Sequence, residues 1–138
     1  MKRPMILFLL LLCMLGLKPV LYAQTKPILY FCETYDPGVG EIGISDRFTT
    51  GYLTIMVRAD QPLGLKNVFI QMDKYNPDTR KFEFYKKFNY TVDPDMKYIY
   101  FAKNEESDLR FGEAGFYRVF LLNDENENVA SSLVEIID

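Results

Sequence analysis

The stretch KNVFIQMDKYNPDTRKFEFYKKFNY, residues 66–90, decides the fold. In its first half Val68, Ile70 and Met72 fall on one side of an extended chain, the period-two pattern of a half-buried β-strand. Asn76-Pro77-Asp78-Thr79 then has type I turn chemistry, with proline presetting φ and the Asn and Asp side chains bonding their own backbone. On the return, strict alternation puts Phe82, Phe84 and Phe88 on one side and Glu83, Tyr85 and Lys87 on the other. A long β-hairpin is predicted.

The same reading extends in both directions. Gly51 to Arg58 alternates, with Leu53, Ile55 and Val57 opposed to Tyr52, Thr54, Met56 and Arg58. Ile28 to Glu33 reads as a first strand. Tyr35 to Thr50, with Pro37, Gly38, Gly40 and Gly43, reads as a long loop holding a short edge strand around Ile42 to Ile44. Downstream, Lys97 to Ala102 is an aromatic-rich strand and Asn104 to Asp108 a polar loop. Gly115 to Leu122 and Val129 to Ile137 form a last pair joined by Asn123 to Asn128. No apolar stripe recurs at helical spacing over three turns outside the N-terminal segment. About seven short strands separated by turn residues predict an all-β sandwich or barrel.

The first residues follow a different rule. Lys2 and Arg3 precede thirteen apolar residues, Met5 to Leu17, which a Lys18-Pro19 break separates from Val20-Leu21-Tyr22-Ala23. These are the three parts of a signal peptide, and the apolar core is short of the roughly 20 residues a membrane-spanning helix needs. Cleavage is expected after Ala23, leaving residues 24–138 as one domain. Cys13 lies within the apolar core behind Leu10, Leu11 and Leu12, not where a lipoprotein cysteine stands. Sixteen cationic residues, less Lys2, Arg3 and Lys18, against nineteen acidic ones give the processed chain a charge of −6. An acidic, unclustered surface argues against nucleic acid and anionic membranes as partners. No membrane span is expected after cleavage.

Cys32 is the one cysteine left after processing, so no intramolecular disulfide can form and packing alone must hold the domain. It is read as a buried small hydrophobe. Dispensing with disulfides suits a bacterial periplasm or surface, and the expected location is extracytoplasmic, secreted or periplasmic. Asn89-Tyr90-Thr91 is a glycosylation sequon that only a eukaryotic secretory pathway would use.

Glu113-Ala114-Gly115-Phe116-Tyr117-Arg118-Val119 resembles the acidic-x-Gly-x-Tyr pattern that opens the sixth strand of immunoglobulin-like domains. The resemblance implies an immunoglobulin-like or fibronectin-like antiparallel sandwich. It also implies for Tyr117 the structural role of a tyrosine corner, its hydroxyl bonded to backbone a few residues upstream. The chain departs from true immunoglobulin domains in lacking the cysteine pair between the sheets, with Val119 where the second cysteine would sit, and in lacking tryptophan.

The chain has no histidine. That removes the commonest general base, Ser-His and Cys-His nucleophiles, and the usual zinc or copper sites. No phosphate-cradling glycine loop is present. Asp93 with Asp95, and Glu105 with Glu106, pair carboxylates as a glycosidase would, but both pairs stand in turn-like polar segments that read as solvated charge. Asn123 to Asn128 offers oxygen ligands for Ca2+ without the spaced acids and glycine of a helix-loop-helix site. No catalytic residue, metal site or cofactor is expected.

Aromatic placement is the remaining signal. With Val68, Ile70 and Met72 facing the core, Phe69, Tyr75 and Tyr85 are expected to point outward and to cluster on one hairpin face, a candidate partner-binding surface. The expected function is non-enzymatic protein binding or assembly. The alternative is an accessory ligand-binding domain for carbohydrate or Ca2+.

Overall fold

The computed structural model describes residues 25–138. The expected signal peptide and its cleavage point lie outside the described residues. Twelve strands follow in order among those residues: β1 (Ile28–Cys32), β2 (Thr34–Asp36), β3 (Gly40–Ile42), β4 (Arg47–Thr49), β5 (Gly51–Tyr52), β6 (Thr54–Arg58), β7 (Asn67–Asn76), β8 (Lys81–Thr91), β9 (Tyr98–Phe101), β10 (Arg110–Phe111), β11 (Gly115–Leu122) and β12 (Asn128–Ile137). No helix occurs among the described residues, and none is long and apolar enough to cross a membrane.

Eight of these strands build two layers. One sheet has the order β1-β6-β9 and the other β4-β12-β11-β7-β8; all their pairings are antiparallel except the short β4, which runs parallel to β12. This order separates the A, B and E strands from the G, F, C and C′ strands of an immunoglobulin-like sandwich. The fold is all-β and immunoglobulin-like. Between the layers, Leu29, Val57 and Ile99 share one register row and Phe31, Ile55 and Phe101 the next, with all six side chains buried. They meet Val68, Ile70 and Met72 of β7, Tyr117, Val119 and Leu121 of β11, and Val134 and Ile136 of β12.

Two features of this architecture bear on the surfaces. First, the segment read as a long loop forms a hairpin, β2–β3, that folds over the outside of the three-stranded sheet. Tyr35 stacks on Tyr100 with ring centroids 4.5 Å apart, and Glu41 lies 3.8 Å from the Arg58 guanidinium. Met56 and Cys32, which alternation turns away from the core, are therefore fully buried by a second small layer. The strand read as continuous from Gly51 to Arg58 is broken at Leu53, and its first part pairs instead with β10.

Second, β8 carries a bulge. Met72 pairs with Lys86 but Asp73 pairs with Phe84, so an extra residue is accommodated at Tyr85. The bulge reverses the alternation that strict period two predicts for the return strand. Phe88 and Tyr90 pack against the core, whereas Phe82 and Phe84 lie across from Tyr75 and Asp73 on the outer face. Phe82, Phe84 and Phe88 thus do not share a side. The turn is a four-residue loop in which Asn76 Oδ1 accepts the Asp78 amide at 2.9 Å and Arg80 takes a left-handed φ of 57°.

Candidate functional site

Tyr117 anchors the end of the sheet on which the candidate surface lies. Its side chain is fully buried, and its hydroxyl donates to the backbone oxygen of Glu113, four residues upstream, at 2.7 Å. The ring is flanked edge-on by Phe111 at 5.1 Å and Tyr85 at 5.3 Å, with the Lys74 ammonium 5.9 Å from its centroid. Burial, and then the neighbouring Tyr85, push the Tyr117 phenol pKa well above its ordinary value. Gly115 enters the strand at φ 142°, and a Cβ there would stand 3.1 Å from Lys74 Cε. Both facts explain a glycine two residues before the tyrosine.

This environment places the three residues expected to form an outward aromatic cluster. Phe69 is on the outer face, half-buried beneath the Lys87 ammonium 4.4 Å from its ring. Tyr75 is also outward, edge-on to Phe82 at 5.4 Å. Tyr85 is not: the bulge turns it inward against Tyr117, where it belongs to the rim of the core. Its place outside is taken by Phe84.

Register shows what the outer face presents. One row across four strands reads Leu133, Arg118, Asp73, Phe84. A second reads Ser131, Phe120, Gln71, Lys87. A third reads Glu135 beside Phe116 and Tyr75 beside Phe82, with Phe116 level with Tyr75 when the β7–β11 register is continued by one residue. Phe84 is 66 %, Phe116 51 % and Leu133 50 % exposed. Alternation in β11, where Phe116, Arg118 and Phe120 oppose the buried Tyr117, Val119 and Leu121, carried the signal for this face. No sequence signal marked Phe84, because the bulge decides its side.

The charged residues are interleaved with these rings. The Arg118 guanidinium lies 4.7 Å from the Phe82 centroid. Arg47 bridges to Glu135 at 2.5 Å along the β4 side. Asp73 accepts a hydrogen bond from Gln71 Nε2 at 2.9 Å. Among the described residues neither Asp73 nor Arg118 takes part in a salt bridge. At the hairpin end a groove of about 700 Å3 is lined by Phe84, Tyr85, Phe116, Asn76 and Glu83 among others.

Elsewhere the acidic candidates stand in turns held by Asp93 and Asn104. Asp93 Oδ1 accepts the Asp95 amide at 3.0 Å, and Asn104 Oδ1 accepts both the Glu106 amide and the Ser107 hydroxyl at 2.9 Å. Asn123 Oδ1 accepts the amides of Glu125 and Glu127, Asn123 Nδ2 donates to Glu127 Oε2 at 2.8 Å, and Asn126 Oδ1 accepts from Lys87 Nζ. Ser107 in turn bonds the Tyr90 hydroxyl at 2.6 Å, a buried polar link that the sequence did not announce.

A separate cluster lies under the β2–β3 hairpin. Tyr30 Oη donates to Glu41 Oε1, and this bond, with a second from Tyr98, holds the Glu41 carboxyl down at about 2. Burial raises the Tyr30 phenol, as does its bond to Glu41. Cys32 is fully buried beside this cluster, its thiol 3.3 Å from the Thr34 backbone oxygen and its pKa pushed up by burial.

No protein family model and no curated protein sequence matches the chain. Among solved structures it is similar to an immunoglobulin-like protein from Pseudomonas aeruginosa, at 10 % identity over 83 % of this chain and 99 % of that one, with a TM-score of 0.48.

Proposed function

We propose that the protein is an exported, non-enzymatic module that binds another protein through the outer face of its five-stranded sheet. The observation that carries this reading is the trio Phe84, Phe116 and Leu133, each half or more exposed on a sheet whose other side forms the core. Exposed rings set beside Asp73 and Arg118, neither of which takes part in a salt bridge among the described residues, are the make-up of an interface, where aromatic residues and arginine are enriched. The N-terminal Lys2-Arg3 pair, apolar core and Ala23 support export, in which case the face is presented outside the cytoplasm. The absence of histidine from the chain supports the non-enzymatic reading.

Photo-crosslinking side chains introduced at Phe84 and Phe116, with exposed Ile28 on the opposite sheet as control, test this in the native setting. Protein adducts from the first two positions and not the third are expected. Equal labelling, or none, overturns the reading. The groove beside Phe84 favours a second reading, a carbohydrate site in which rings stack on a sugar and Asn76 and Glu83 bond its hydroxyls. A reproducible rise in melting temperature with one member of a glycan panel would select it.

A further inference from the structure

We propose that the partner for this face is a second copy of the chain, docked about a two-fold axis that runs along the strands above the gap between β7 and β11. The inference rests on the protein-binding reading and names its partner.

The register makes the face self-complementary. A two-fold axis in that position lays β7 of one copy over β11 of the other, as an isologous interface requires. In the row Leu133, Arg118, Asp73, Phe84, each residue then meets its counterpart from the other side of the axis. Asp73 stands over Arg118 and Phe84 over Leu133, and both contacts occur twice by symmetry. In the neighbouring row Tyr75 stands over Phe116. Two carboxylate–guanidinium pairs at the centre are thus ringed by the most exposed apolar side chains of the face. An axis over any other strand gap breaks the match: moved between β11 and β12, it would place Arg118 over Leu133 and leave Asp73 without a cation.

Geometry also sets the strength. Four strands about 4.8 Å apart, over roughly 20 Å of their length, present a plane of about 400 Å2. That is near half of the ~800 Å2 per partner in a stable complex. An interface of that size is of the transient kind, and the dimer forms where copies are concentrated.

Charge exchange tests it. Asp73→Arg gives a face with cations at both central positions, and Arg118→Asp gives one with acids at both. Sedimentation equilibrium up to about 1 mM is expected to show a monomer–dimer equilibrium for the native chain. Each single variant should be at least tenfold weaker, and an equimolar mixture of the two should associate at least as well as the native protein. Circular dichroism melts confirm that each variant is folded. Recovery in the mixture cannot arise from misfolding, since both components were altered. A native chain monomeric at 1 mM, or a mixture no better than its components, overturns the proposal. Adducts of Phe84 and Phe116 with a different protein in the crosslinking experiment would leave the broader binding reading standing while this one fell.

Discussion

The Tyr117 hydroxyl donates to the Glu113 backbone oxygen at 2.7 Å, closing a loop of four residues at the point where the chain enters the middle of the larger sheet. The bond joins a fully buried ring to the surface turn that precedes its own strand. Tyr117→Phe keeps the ring and loses the bond, so it is expected to destabilise the domain by about 1 kcal/mol, a fall in melting temperature of roughly 3–6 °C. Thermal melts followed by near-ultraviolet circular dichroism read this directly. An unchanged melting temperature would show that the bond holds nothing in place.

Stability should fall at both ends of the pH scale for reasons traceable to named groups. Glu41 has a folded pKa of about 2 against an ordinary 4.5, held down by the bonds from Tyr30 and Tyr98. A depressed carboxyl contributes stability that is complete above the unfolded pKa and disappears as pH falls through the folded one, here between about 4.5 and 2. Tyr30 and Tyr117 are raised above 10.0, so their contribution is complete below that pH and is lost as pH rises beyond it. Denaturation midpoints measured against pH should be level from about 4.5 to about 9, where the buried Cys32 thiol, also raised, begins to add to the alkaline limb. Glu41→Gln should flatten the acid limb, and Tyr30→Phe should reduce the alkaline one.

Cys32 reports on the β2–β3 hairpin. Its thiol is fully buried and its pKa raised, so native protein at pH 8 is expected to react with a disulfide reagent at least 100-fold more slowly than unfolded protein. Reaction requires the hairpin to open, and Glu41→Gln removes the charge that bonds it to Tyr30. That variant should therefore react faster than the native chain near neutral pH, by a larger factor than its fall in global stability accounts for. Equal rates would mean that the thiol is reached by another route.

The bulge in β8 predicts opposite outcomes for adjacent residues. Tyr85→Ser removes a ring that packs edge-on against Tyr117, and should cost about 2–3 kcal/mol, toward the low end for aromatic truncation because the site is half-buried. Phe84→Ser removes a ring 66 % exposed, and should change stability by no more than about 0.5 kcal/mol. Urea denaturation of the two variants settles the face assignment. A costly Phe84→Ser beside a harmless Tyr85→Ser would place the bulge elsewhere.

Period-two alternation made the sandwich legible wherever a strand obeys it. Leu53, Ile55 and Val57 are buried as that pattern requires, and so are Val68, Ile70 and Met72. The pattern failed in two places, each for a local physical reason. At Thr54 and Met56 it predicts an open face, but a hairpin from the preceding glycine-rich segment covers that face, and covering by a distant segment leaves no trace in the strand itself. At Tyr85 one extra residue shifts every side chain beyond it to the other side, and nothing in Phe82-Glu83-Phe84-Tyr85-Lys86-Lys87-Phe88 marks where the insertion falls.

The sequence by itself determined that the domain is extended chain throughout, that it cannot cross-link itself through Cys32, and that histidine chemistry is closed to it, because these depend on residue types and on a spacing of two. Only the tertiary structure decided which aromatics face outward and which charges stand beside them. The row Leu133, Arg118, Asp73, Phe84 draws on four strands separated by up to sixty residues of chain. Such a row exists only once pairing register and the bulge have been set by the packing of the core, through hydrogen bonds between strands that no local pattern records.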